Sequence, residues 1–125
     1  MRVLYIDDDR VNAILFAEAC RFAAGVDVQT TFSGAEALDL VQHWVPDLLV
    51  IDLHLPDTDG YTLLPALRAQ LQRPQLPAFL CTADEIDLVQ EPARAAGFDG
   101  CWAKPVELQF VITELARLRA TAAVP

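Results

Sequence analysis

Lysine is nearly missing from this chain of 125 residues: Lys104 stands alone, and the nine cations, arginine in every other case, face eighteen carboxylates. The formal charge of −9 repels phosphate backbones, so the chain by itself is a poor nucleic-acid binder and any such contact would need another subunit. Cysteine is scarce too. Cys20, Cys81 and Cys101 are odd in number, far apart and set among apolar neighbours, which argues against a disulfide framework or a thiolate metal site and for buried, reduced thiols. No apolar run approaches the ~18 residues of a membrane span, and the opening run from Val3 to Ile6 is shorter than the ~7–15 residue core of a signal peptide. The expectation is a soluble, cytoplasmic protein with no membrane partner. Repeats, low-complexity tracts and linkers are missing as well. One domain is expected, long enough to bury roughly two-thirds of the surface its unfolded chain exposes.

Four short apolar runs end in residues with chemical capability. Val3 to Ile6 leads into Asp7, Asp8 and Asp9; Leu48 to Ile51 into Asp52; Ala78 to Cys81 into Thr82; and Cys101-Trp102-Ala103 into Lys104-Pro105. A fifth run, Val26 to Phe32, alternates apolar and polar residues and reads as an edge strand. Helical patterns lie between the strands. Val11, Ile14, Leu15 and Phe22 recur at helical spacing behind Asp9, a candidate cap, with Gly25 as the stop. Ser33 and Glu36 form a capping box ahead of a stripe of Leu38, Val41 and Val45. Leu63, Leu64, Leu67 and Leu71 give the third helix its buried face, although Pro65 lies inside it and removes one backbone hydrogen bond. Between Asp84 and Gly97 the pattern is weak and Pro92 falls in its middle, which predicts a short or late-starting fourth helix. Leu108, Val111, Ile112, Leu115 and Leu118 share one face of the last helix, and residues 120–125 read as a frayed tail. Strict alternation of five strands and five helices describes a doubly wound α/β sandwich with a five-stranded parallel sheet and helices on both faces.

Parallel strands present their C-terminal ends at one edge, where open α/β sheets bind ligands. Asp7, Asp8 and Asp52 would therefore bring three negative charges together. Two charges ~4 Å apart at an effective dielectric of ~20 repel by roughly 4 kcal/mol, so something must neutralise them. Lys104 supplies one positive charge. The remainder suits a divalent ion, and an all-oxygen donor set favours Mg²⁺ or Mn²⁺ over zinc. A carboxylate held beside such an ion, a hydroxyl and an ammonium is equipped to attack a phosphoryl group.

Several stretches resemble one family. Tyr5-Ile6-Asp7-Asp8-Asp9, Pro46 to Asp52 followed by Leu55-Pro56-Asp57-Thr58-Asp59-Gly60, Thr82-Ala83 and Lys104-Pro105 are similar to the receiver domains of two-component response regulators, the CheY-like family. The resemblance runs across essentially the full 125 residues, with 1–120 assigned to the receiver domain and 121–125 to a frayed tail. It implies a flavodoxin-like sheet of strand order 2-1-3-4-5. It also implies that Asp52 is the phosphorylated aspartate and Asp8 a direct Mg²⁺ ligand, with Asp7 an indirect one and the His54 backbone carbonyl another. Thr82 and Lys104 would bind phosphoryl oxygens. The Lys104-Pro105 bond would be cis. The implied phosphodonor is a sensor histidine kinase or a histidine phosphotransfer domain; the output protein is unknown, and a homodimer is left open. Self-phosphorylation and self-dephosphorylation are the only catalysis implied.

Two departures concern output. Receivers usually carry Tyr or Phe three residues before the lysine, and this chain has Cys101 there, which cannot signal by burying a ring. Trp102 faces the other side of that strand and reads as core or interface. The fourth helix, which belongs to the partner-binding surface in receivers, is the one that Pro92 interrupts. Cys101, Trp102, Asp84 and Pro105 are grouped as candidate switch and rate-tuning residues; by the resemblance, His54 and Asp84 border the path of the water that hydrolyses the acyl phosphate. A redox pair of Cys81 and Cys101 on neighbouring strands is a minor alternative. Three other readings compete. A haloacid dehalogenase phosphatase would need an Asp where His54 stands. A cobalamin domain would need a glycine where Asp57 stands. A receiver-like docking scaffold would act without phosphorylation.

Overall fold

The computed structural model describes the backbone of residues 1–123 and the side chains of residues 1–120. The elements alternate as expected: β1 (Arg2–Ile6), α1 (Arg10–Arg21), β2 (Asp27–Thr31), α2 (Gly34–Leu40), β3 (Leu48–Asp52), α3 (Gly60–Leu71), β4 (Ala78–Thr82), α4 (Ile86–Ala96), β5 (Gly100–Ala103) and α5 (Leu108–Ala123). The five strands form one parallel sheet of order β2-β1-β3-β4-β5. Every residue of β3 and β4 is buried, as central strands covered on both faces must be, while the alternation in β2 reflects its place at an edge.

Side-chain alternation divides the core into two layers. Leu4, Ile6, Leu49, Ile51 and Leu80 face α2, α3 and α4, where Ala37, Leu64, Leu67 and Val89 meet them. Tyr5, Val50, Phe79, Cys81 and Trp102 face α1 and α5, against Phe16, Cys20, Val111 and Leu115. Aromatic rings knit the second layer: Tyr5 stacks on Phe16 at 4.3 Å, Trp102 lies 5.1 Å from Phe79, and Phe110 meets Trp102 edge-on at 5.4 Å. At ~25 cal/mol per Å² of apolar area, such burial supplies the main favourable term for folding.

Four local expectations are corrected. α1 forms where its periodicity predicts, but Val11, Ile14, Leu15 and Phe22 are 64, 62, 52 and 68% exposed; the buried residues are Ala13, Phe16, Ala19 and Cys20. The helix is apolar on two sides, and the side with small residues approaches the sheet closely enough for Phe16 to stack on Tyr5. α2 ends at Leu40 with Val41 as its cap residue, so Val45 lies beyond the helix and is exposed. α4 is neither short nor late: it runs unbroken through Pro92, buries Val89 and Ala93, and turns the proline outward, where water can reach the Leu88 carbonyl it leaves unpaired. α3 begins at Gly60, capped by Asp59, and contains Pro65 as expected. Of the tail expected over 120–125, residues 120–123 belong to α5; Val124 and Pro125 lie outside the described residues.

Candidate functional site

Strand alternation explains why the charged residues converge. Asp7 follows Tyr5 by two, Asp52 follows Val50 by two and Lys104 follows Trp102 by two, and all three predecessors point into the α1–α5 layer. The three polar side chains emerge as the next rung of that layer, at the C-terminal edge of the sheet. Lys104 Nζ lies 2.9 Å from Asp7 Oδ2 and 3.1 Å from Asp52 Oδ1. Asp7 is wholly buried, and its carboxylate also accepts the Tyr5 hydroxyl at 2.8 Å and the Asp9 N–H at 2.9 Å. Asp8 is exposed. One carboxylate oxygen from each of Asp7, Asp8 and Asp52 lies within 4.8 Å of the others.

Two carboxylates and one ammonium leave this pocket with excess negative charge. Burial pushes the Asp52 carboxyl up from 3.8 to about 6, the neighbouring Asp7 charge adds to the rise, and Lys104 holds it back. Burial disfavours the Lys104 ammonium, yet its hydrogen bonds and charge contacts with Asp7 and Asp52 outweigh that and raise its pKa. The Tyr5 hydroxyl is held far above its ordinary range, chiefly by burial and then by Cys81 and Asp7, so it donates to Asp7 as a neutral phenol. The donor set is oxygen only, half-exposed through Asp8 and short of positive charge, which suits a hard divalent cation.

The outer residues are placed unequally. Thr82, buried at the end of β4, accepts the Asp84 N–H at 3.0 Å, so its hydroxyl caps the turn into α4. His54 Nε2 and Asp84 Oδ2 meet at 2.9 Å, joining the loops that follow β3 and β4 across the mouth of the pocket. The Lys104-Pro105 peptide is cis. Cys101 is half-buried against the α2–α4 layer, whereas Trp102 lies in the aromatic core, the packing position its place on the strand predicts. In register, Cys81 pairs with Trp102 and Cys101 with Leu80. The two thiols therefore face opposite layers, and the Cys81–Cys101 redox pair is ruled out geometrically. Burial raises the pKa of Cys81 and of Cys20 to about 12, which keeps both as inert thiols.

Sequence reasoning missed two contributors. Tyr5 reaches Asp7 because residues two apart on a strand share a face, a signal available in the alternation. Asp57 reaches across to α2, accepting the N–H groups of Gly34 and Ala35, both at 2.9 Å, and no local pattern reports that contact.

Comparison with known proteins identifies the family and the fold. Residues 3–116 match the family model described as the response regulator receiver domain. The chain is 30% identical over 112 residues to the polar-differentiation response regulator DivK of Brucella ovis, covering 89% of this chain and 90% of that protein. It is 33% identical over 120 residues to the probable transcriptional regulatory protein TcrX of Mycobacterium tuberculosis, but spans only 50% of that protein's length. Among solved structures, a putative response regulator from Chloroflexus aurantiacus superposes with a TM-score of 0.83 at 32% identity, covering 95% of this chain and 97% of that one. Among the described residues, no helix is long and apolar enough to cross a membrane.

Proposed function

The chain belongs to the response regulator receiver domain family of two-component signalling, and from that premise we propose that Asp52 accepts a phosphoryl group in a pocket completed by a divalent cation. The observation that carries the reading is the single ammonium of Lys104 bridging Asp7 at 2.9 Å and Asp52 at 3.1 Å, with Asp8 near enough to share an ion with both. Asp7, Asp8, Asp52 and the His54 carbonyl would hold Mg²⁺ or Mn²⁺, which when bound would neutralise the carboxylates and the phosphoryl oxygens. An Asp52 carboxylate oxygen attacks phosphorus, the phosphorus–nitrogen bond of a phosphohistidine breaks, and the departing imidazole keeps the electron pair and takes up a proton. Lys104, already aimed at Asp52, would then pair with a phosphoryl oxygen. Thr82, whose hydroxyl oxygen accepts the Asp84 N–H, would donate its O–H to another.

Receiver domains interact with histidine kinases or phosphotransfer proteins. The exposed apolar residues Val11, Ile14 and Leu15 on α1 and Phe22 at its C-cap form a stripe; the helix begins directly after Asp8 and Asp9, so this stripe runs away from the mouth of the pocket. It suits an amphipathic helical phosphodonor whose histidine must reach Asp52. Phosphorylation would alter affinity for an output protein, which the receiver family implies without naming it.

The test is incubation with acetyl phosphate and Mg²⁺ followed by intact-mass measurement. One phosphoryl addition is expected in the wild type and none in Asp52→Asn. A wild type that gains no mass favours the scaffold reading, in which docking requires no phosphorylation. The phosphatase reading conflicts with the match of residues 3–116 to the receiver family.

A further inference from the structure

The loop between β3 and α3 is fastened to α2 by a contact that the phosphoryl chemistry does not use. The first amides of a helix have no partner within it. In α2, Ser33 Oγ accepts the Glu36 N–H at 3.1 Å and the Ser33 carbonyl accepts that of Ala37 at 3.2 Å, which leaves Gly34 and Ala35. Asp57, twenty-three residues further on, takes both: Oδ1 accepts the Gly34 N–H and Oδ2 the Ala35 N–H, each at 2.9 Å. Beside them Thr58 Cγ2 lies 2.7 Å from where a Cβ on Gly34 would sit, so loop and helix approach as closely as glycine permits.

That fastening is short-coupled to the pocket. Leu55 N–H donates to the Thr58 carbonyl at 3.1 Å and Gly60 N–H to the Leu53 carbonyl at 2.9 Å, two bonds that make His54 and Asp59 an antiparallel backbone pair. Asp57 therefore sits at the tip of a loop whose base pairs Leu53-His54-Leu55, directly after Asp52, with Thr58-Asp59-Gly60, which couples its position to that backbone. We propose that Asp57 is a positioning residue of the Asp52 site, its carboxylate spanning the first two amides of α2 to hold the β3–α3 loop where the His54 carbonyl and Asp52 meet a divalent cation. The inference rests on the phosphoacceptor reading above. It adds that α2 and the cation site are coupled, and coupling is reciprocal: a cation bound at Asp52 slows hydrogen exchange at the Gly34 and Ala35 amides.

Two perturbations approach the contact from opposite sides. Asp57→Ala removes the acceptors, whereas Gly34→Ala keeps every charge and forces a methyl against Thr58 Cγ2; adding Thr58→Ser removes that atom. Alanine also has higher helix propensity than glycine, so loss of α2 would not explain an effect of Gly34→Ala. Mg²⁺ affinity is measured calorimetrically on the full chain, with amide exchange at Gly34 and Ala35 recorded with and without Mg²⁺ and folding checked by circular dichroism. Asp57→Ala and Gly34→Ala each weaken Mg²⁺ binding about five-fold, Asp57→Asn falls between them and wild type, and Gly34→Ala with Thr58→Ser returns to wild type. Affinities of Asp57→Ala and Gly34→Ala within about two-fold of wild type overturn the proposal. So does a loss confined to Asp57→Ala, which would reduce the effect to distant charge. A wild type that binds no Mg²⁺ overturns the phosphoacceptor reading itself, and the proposal with it.

Discussion

Neutralising Asp52 should stabilise the metal-free protein, although it abolishes the proposed reaction. The Asp52 carboxyl is raised from 3.8 to about 6 in the fold, and its side chain is only 6% exposed, so solvent screens little of the effect. A raised carboxylate pKa means that the folded state binds the proton more tightly than the unfolded state. Stability is therefore highest below pH ~4 as far as this group is concerned, falls as pH rises through ~6, and is flat above. At ~1.4 kcal/mol per unit the full penalty is about 3 kcal/mol at pH 7.5. Asp52→Asn removes it while the amide oxygen can still accept from Lys104. In EDTA at pH 7.5 the variant should gain about 2–3 kcal/mol, a shift of about 1–1.5 M in the urea midpoint. By pH 4.5 the gain should shrink to about 1 kcal/mol. Mg²⁺ at a hundredfold its Kd should add about 2.7 kcal/mol to the wild type and much less to the variant, closing the gap. The assay is urea unfolding followed by the fluorescence of Trp44 and the buried Trp102. An Asp52→Asn protein less stable than wild type in EDTA, or a gain independent of pH, refutes the picture of a pocket short of positive charge.

Lys104→Ala should destabilise by about 3 kcal/mol in urea unfolding, because it leaves the wholly buried Asp7 without its cation; a loss below about 1 kcal/mol would mean that Tyr5 and the Asp9 amide suffice for Asp7. His54→Met and Asp84→Ala should each change the half-life of the acyl phosphate, and the double variant should match a single one, since the two side chains act through one 2.9 Å contact. Their side chains are 71 and 44% exposed, so unfolding midpoints should barely move; an unchanged half-life in His54→Met sinks the rate-tuning role. Ile14→Ser should slow phosphotransfer from a histidine kinase about ten-fold while leaving acetyl phosphate labelling and stability unaltered, because the side chain is 62% exposed on α1. Equal rates from the kinase would detach α1 from docking.

Much of the fold was legible because its signals are local. A run such as Leu48 to Ile51, apolar at every position, announces a central strand, and the alternation in Val26 to Phe32 announces an edge. Capping residues were equally readable: Asp9 accepts the Val11 and Asn12 amides, and Ser33 that of Glu36, as their spacing predicts. Where two local signals competed, reading by rule failed. Pro92 spoke against α4, yet an outward-facing proline loses its hydrogen bond to a carbonyl that solvent reaches, and Val89 and Ala93 hold the helix down. α1 offered two apolar faces, and periodicity could not choose between them.

From the order of residues alone follow the strand-helix alternation, the parallel sheet and the arrival of Asp7, Asp52, Thr82 and Lys104 at one edge, since each depends on a period or a spacing within a few residues. Only the tertiary structure decided which face of α1 meets the sheet, that Cys81 and Cys101 point into different layers, that Lys104 bridges Asp7 to Asp52, and that Asp57 reaches the amides of α2. These contacts join residues far apart in the chain, and their existence depends on strand register and on how closely small side chains let the layers approach, quantities that no local window contains.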